Sequence, residues 1–185
     1  EKTLYVSILP LRSLVEEIVG DDFKIEVLVP LGASPETFEP TPRQFIGLNR
    51  AEMIFNVGLI DFETTLLSKI EERGKVVNLS QGIELIAGSC SHACTHAEQE
   101  TSGGHGTSHA ETHNHSHAHG VDPHVWTSPR ALQKMAQNAY AAIRRAYPDS
   151  VKYETNYKRL QADLRALDAR TGEKIAQSGI EYFII

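Results

Sequence analysis

Short apolar runs rich in strand-forming residues alternate with helix-patterned stretches through the first 80 residues, and that alternation confines the chain to few architectures. Residues 4–9 form the first such run, closed by Pro10, and residues 11–19 carry helical spacing up to Gly20. Residues 24–29 read as a strand ending at Pro30, and residues 42–51 as a short helix with Pro42 at its start. A strand over 53–57, a helix over 62–73 closed by Gly74 and a strand over 75–79 complete the series. Parallel neighbours need crossover connections, so strands separated by helices predict an α/β fold with a parallel sheet flanked by helices.

The pattern stops at Ser89. Residues 89–120 are Ser, Thr, Gly, Ala, Glu and His without an apolar face, which reads as a long surface loop. Periodicity returns over residues 130–147, where Leu132, Met135, Ala139, Ala142 and Ile143 make one stripe before Pro148. A second helix is expected over 149–177, with Val151, Tyr157, Leu160, Leu164 and Leu167 at three- and four-residue steps and an end near Gly179. Its length, about 40 Å at 1.5 Å per residue, suits a backbone spanning two lobes. Residues 181–185 read as a strand that has just begun, and a lone apolar strand needs neighbours. The expectation is that a second lobe follows residue 185.

Lys and Arg total 18 against 24 Asp and Glu, a net charge of −6 with no basic cluster, which argues against nucleic acid as a partner. No apolar run approaches the roughly 20 residues of a membrane-spanning helix. The chain opens at Glu1 and enters a strand almost at once, as a mature exported protein does after its signal is removed. The only cysteines, Cys90 and Cys94, flank His92; they could give thiolate ligands or close a short disulfide, and the spacing leaves both open.

Histidine marks the chemistry. Of nine, eight fall in the polar loop: His92, His96, His105, His109, His113, His115, His117 and His119. Imidazole is a common neutral ligand for zinc, so the loop reads as an auxiliary metal collector, of modest affinity because each site must order the chain. The ninth, His124, lies in Val-Asp-Pro-His-Val-Trp-Thr-Ser-Pro before a helix, where Asp122 could fix the ring's tautomer. The second candidate segment, Gly32-Ala-Ser-Pro-Glu-Thr-Phe-Glu-Pro-Thr-Pro, follows the second strand, and open α/β sheets bind ligands at the carboxyl ends of their strands. No His-Glu-x-x-His or Gly-x-Ser-x-Gly motif supports a hydrolase.

Taken together, Gly32-Ala-Ser-Pro, Phe38-Glu-Pro-Thr-Pro, Asn56-Val-Gly-Leu with Phe62-Glu63, the His-rich insertion and Asp122-Pro-His-Val-Trp-Thr-Ser-Pro resemble the zinc- and manganese-type (cluster A-I) substrate-binding proteins of metal ABC importers, on the zinc-uptake, ZnuA-like branch. The likeness spans nearly the whole chain. It implies a two-lobed, non-enzymatic, monomeric protein outside the cytoplasm, periplasmic or lipid-anchored, that passes its metal to an ABC permease in the membrane. Residues 1–148 would be the first lobe, 149–179 the linking helix and 180–185 the opening strand of the second lobe. His124 matches a family ligand. Position 36 departs from the pattern, with Glu36 where His is usual; a carboxylate still binds zinc and also suits manganese. The resemblance thus implies Glu36 and His124 as cleft ligands, two more from the second lobe, and Zn(II) as cargo with Mn(II) as the runner-up. Two other readings stay open: a metal-activated hydrolase, and a periplasmic zinc buffer in which the loop is the function.

Overall fold

A computed structural model describes residues 2–85 and 121–179. Of these, residues 2–84 and 123–179 belong to one compact unit, which contains the helices and strands described below. Strands β1 (Thr3–Val6), β2 (Lys24–Val27), β3 (Met53–Asn56) and β4 (Val76–Asn78) form a wholly parallel sheet in the order β2-β1-β3-β4. The expected α/β class is therefore observed, with strands one or two residues shorter than their apolar runs.

Alternation along each strand splits the core into two layers. Leu4, Val6, Met53 and Phe55 face helices α1 (Leu9–Val19), α4 (Pro129–Ala146) and α5 (Val151–Ser178), where Leu11, Val15, Ile18, Met135, Ala139 and Ile143 close the larger cluster. Ile54 points the other way, joining Leu48 of α2 (Pro42–Arg50) and Leu66 and Leu67 of α3 (Asp61–Leu67). Leu4, Val6, Leu11 and Phe55 are fully buried, each burial stabilising the fold by about 1.5–3 kcal/mol.

Local chemistry sets the helix ends. The first apolar run stops as strand at Val6 because Pro10 suits a helix's first turn, so α1 begins at Leu9. Thr41 caps α2 in a reciprocal box with Gln44, the backbone N–H of Gln44 donating to Thr41 Oγ1 at 3.3 Å and the Thr41 N–H to Gln44 Oε1 at 2.9 Å. Helix α3 ends at Leu67, six residues before the expected end. The Lys69 and Ile70 N–H groups turn back to Leu66 and Leu67 carbonyls, and Ser68 Oγ donates to Thr65 O at 2.8 Å, so the helical ladder closes on itself. Ile70, three residues past the end of the helix, is still buried.

Helix α5 runs 28 residues to Gly179, whose φ of 64° supplies the left-handed stop. Its first half is anchored: Tyr153, Leu160 and Leu164 are buried, and Tyr157 stacks on Tyr140 of α4 at 4.3 Å. From Arg165 on, every described residue is exposed or half-buried. None of the described helices is long and apolar enough to cross a membrane. The strand expected over 181–185 lies outside the described residues.

Candidate metal centre

In a parallel sheet all carboxyl ends share one edge, and the turns that leave it are held apart from the ladder hydrogen bonds. After β2 the chain makes a β-turn in which the Ala33 N–H donates to Pro30 O at 3.1 Å, with Gly32 at φ 86° in the position where a left-handed residue is required. A 3-10 turn over Pro35–Thr37 follows, closed by the Thr37 N–H to Ser34 O, and its middle residue is Glu36. Two tethers hold this loop. Gln44 Nε2 donates back to Leu28 O at 2.9 Å, and Phe38 sets its ring edge-on against Phe62 of α3, 5.6 Å between centroids.

His124 immediately precedes a 3-10 turn over Val125–Thr127. Its carbonyl accepts the Thr127 N–H at 3.1 Å and the Thr127 hydroxyl at 2.7 Å, while its exposed ring lies edge-to-face on Trp126 at 5.1 Å. Val125 and Trp126 pack on the larger core cluster, which fixes the turn. Ser128 then caps α4, accepting the Ala131 N–H, with Pro129 in the first turn.

The direction of α4 locates this turn. Asn138 Nδ2 donates to Leu79 O and Gln81 O, both at 2.8 Å, at the carboxyl end of β4, whereas Tyr147 reaches Glu52 at the amino end of β3. The helix runs against the strands, and its start stands about ten residues, roughly 15 Å, beyond Asn138 on the carboxyl side. The turn that carries Glu36, after β2, and the turn that carries His124, before α4, therefore lie toward the same edge of the sheet. Among the described residues no group of three or more His, Cys, Asp or Glu could hold a metal ion. The eight loop histidines, with Cys90 and Cys94, lie outside the described residues.

Between these turns the edge contains a polar cluster that sequence reasoning did not single out. Glu63, in the first turn of α3, is completely buried, and its carboxylate accepts the Val57 N–H at 3.0 Å and the Gly58 N–H at 2.6 Å. Burial pushes its pKa up; the Ser7 hydroxyl and the backbone N–H groups of Val57, Gly58 and Ile60 pull the other way. The Ser7 hydroxyl is itself buried and faces the carboxyl closely enough to favour its ionised form, yet it meets no partner at full hydrogen-bonding geometry. The Asn56 carboxamide, with its nitrogen toward Val77 O at 2.9 Å, accepts from Gly58 N at 3.3 Å. Gly58 sits at φ 81°, and a side-chain carbon there would come within 2.4 Å of the Asn78 carboxamide. That carboxamide is occupied, accepting the N–H and hydroxyl of Ser80 at 2.9 Å each. Asn56, Gly58 and Glu63 stand in one of the motifs read above, but a charged residue in a helix's first turn ordinarily signals a solvated dipole partner, not a buried clamp.

Known proteins share this fold. The family model of ZnuA, the zinc-uptake complex component A periplasmic proteins, matches residues 4–184. The high-affinity zinc uptake system protein ZnuA of Bacillus subtilis is 34% identical over 174 residues, which is 91% of this chain and 50% of that protein. The zinc-binding lipoprotein AdcA of Streptococcus pneumoniae is 23% identical over 95% of this chain and 33% of its own length. A crystal structure of a zinc-bound ZnuA deletion mutant superposes with a TM-score of 0.72 at 27% identity, covering 93% of this chain and 57% of that one. The chain thus spans about half the length of the Bacillus relative. That family is one of metal-binding transport proteins, not of enzymes. On the family match along nearly its full length and the shared fold, this chain belongs to the ZnuA family of zinc-uptake proteins.

Proposed function

We propose that this chain is the first lobe of an extracytoplasmic substrate-binding protein that captures Zn(II) as cargo and delivers it to an ABC permease. The observation that carries the reading is the common edge: in a chain of this family, the turn bearing Glu36 follows the carboxyl end of β2, and the turn bearing His124 opens α4, which runs against the strands and starts beyond that same edge. Open α/β sheets bind ligands there. Glu36 and His124 are the proposed cleft ligands, one oxygen and one nitrogen donor, to be completed by residues of a second lobe joined through α5. An exposed His124 ring steadied by Trp126 can reach an ion without first leaving a core.

The histidine-rich tract over 89–120 is proposed as an auxiliary collector that raises the local zinc supply. Its imidazoles number eight, and imidazole is a common neutral ligand for zinc. Manganese is the second reading, supported by the carboxylate at position 36, a harder donor than the imidazole usual there. We further infer a monomer outside the cytoplasm, periplasmic or lipid-anchored, in line with relatives described as a periplasmic component and a lipoprotein.

Chelator-competition titration of the full-length protein with zinc and with manganese tests this, beside a variant lacking residues 89–119. One tight zinc site should survive the deletion. Glu36→Ala and His124→Ala should each weaken it by more than the roughly 10–100-fold that loss of a supporting contact costs. Loss of tight binding with the loop would make the protein a metal buffer instead.

A further inference from the structure

The Glu36 turn has no place in the sheet's hydrogen-bond ladder, so its position depends on what it packs against. That element is α3. The contact is specific: Phe38, two residues past Glu36, lies edge-on to Phe62 at 5.6 Å and an interplanar angle of 77°. Phe62 is the second residue of α3, and the third is Glu63.

The Glu63 carboxylate costs free energy to bury. Among the described residues its favourable partners are the Ser7 hydroxyl and backbone N–H groups, not a cation. What it accomplishes is geometric. It binds the N–H groups of Val57 and Gly58, where β3 ends, and so fixes where α3 can start relative to the sheet. An apolar residue would leave two inward-pointing N–H groups unpaired, and a glutamine has only one acceptor oxygen for them. The orientation of the first turn of α3, and with it the direction of the Phe62 ring, hangs on this clamp.

We propose that Glu63 is a positioning residue for the metal site: it locks the start of α3 so that Phe62 braces Phe38 and holds the Pro35–Thr37 turn in place. This rests on Glu36 being a ligand, and it adds what keeps that ligand where the ion needs it. Supporting groups around metal ligands typically change affinity by about 10–100-fold, and here the support acts through two aromatic rings.

Zinc affinity by chelator competition, with melting temperature alongside, tests the proposal on full-length Glu63→Gln and Phe62→Ala, each made in the wild-type and in the Glu36→Ala background. Both substitutions should weaken zinc by about tenfold or more in the wild type. In the Glu36→Ala background the loss should shrink to about twofold or less, because the ligand they position is already gone. Phe62→Leu, which keeps bulk against Phe38, should recover most of the affinity. If Glu63→Gln does not fold, Phe62→Ala and Phe62→Leu carry the same comparison. Equal losses in both backgrounds, or a lower melting temperature with unchanged zinc affinity, overturn the positioning role while leaving Glu36 a ligand. Wild-type affinity in Glu36→Ala alone overturns the cleft assignment, and the positioning role with it.

Discussion

The two ends of the sheet are built on opposite principles. At the amino end, Phe23, Tyr147 and Tyr153 converge from three parts of the chain, with ring centroids 5.4 to 6.4 Å apart in edge and tilted contacts. Lys2 lies over the Tyr147 ring at 4.6 Å, the Tyr147 hydroxyl donates to Glu52, and Lys152 reaches Asp22 at 2.7 Å. This end is sealed by apolar area with polar groups at its rim. At the carboxyl end the burial is polar: Glu63, Ser7 and Asn56 lie within the protein, and glycines at positive φ shape the turns. One end stabilises the lobe, and the other spends stability to hold loops in place.

The largest effect separating the two should come from Phe23→Ala, which empties the amino-end cluster. Phe23 is 9% exposed, and truncating a buried aromatic costs about 3–5 kcal/mol. Denaturant unfolding should show that loss, while zinc affinity of the folded protein stays within about twofold of wild type if the ends act independently. A zinc affinity that fell with the stability would break the distinction between the ends.

Gly58→Ala is the matching change at the carboxyl end. A non-glycine residue at φ 81° is strained by about 1–3 kcal/mol, and its methyl carbon would press on the Asn78 carboxamide. The expected loss, about 2–3 kcal/mol, is smaller than for Phe23→Ala, but zinc affinity should fall with it, because Gly58 donates to the clamp that sets α3. Unfolding and chelator titration on the same preparation decide it. Destabilisation with wild-type zinc affinity would mean that this end, too, is only scaffold.

The same contrast explains what could be read from the residues alone. The parallel α/β order was legible because each of the first three apolar runs of strand-forming residues is followed by a helix-patterned stretch, whereas the end of the expected helix over 62–73 was not, the helix stopping at Leu67. The turn residues Gly32 and Pro35 marked where a loop leaves the sheet. Glu63 was not legible as a buried group. Its neighbours Val57 and Gly58 are close in sequence, but Ser7 arrives from β1, and only the packed sheet encloses the carboxylate. The Phe38–Phe62 brace was hidden for a related reason: 24 residues separate two rings that alternation assigns to different elements.

The smallest effect should appear in alkali. Tyr153 has its pKa raised from 10.0 to about 12, first by burial and then by donating its hydroxyl to Asp22, with the Asp22 and Tyr147 charges adding to the shift. Tyr147 is raised as well, by burial and by Glu52, against the opposing charge of Lys2. Between the ordinary value and the raised one, the folded protein keeps a proton that the unfolded chain has lost, so stability falls as pH rises through that window. Tyr153→Phe removes one contributor among several, since burial raises Tyr5 as well and the pairing with Glu154 raises Lys158. Its unfolding free energy should decline less steeply between pH 10 and about 12 than that of wild type, with the Tyr147 share of the slope remaining. An undiminished slope in Tyr153→Phe would place the alkaline sensitivity elsewhere and undo the view of the amino end as one coupled aromatic seal.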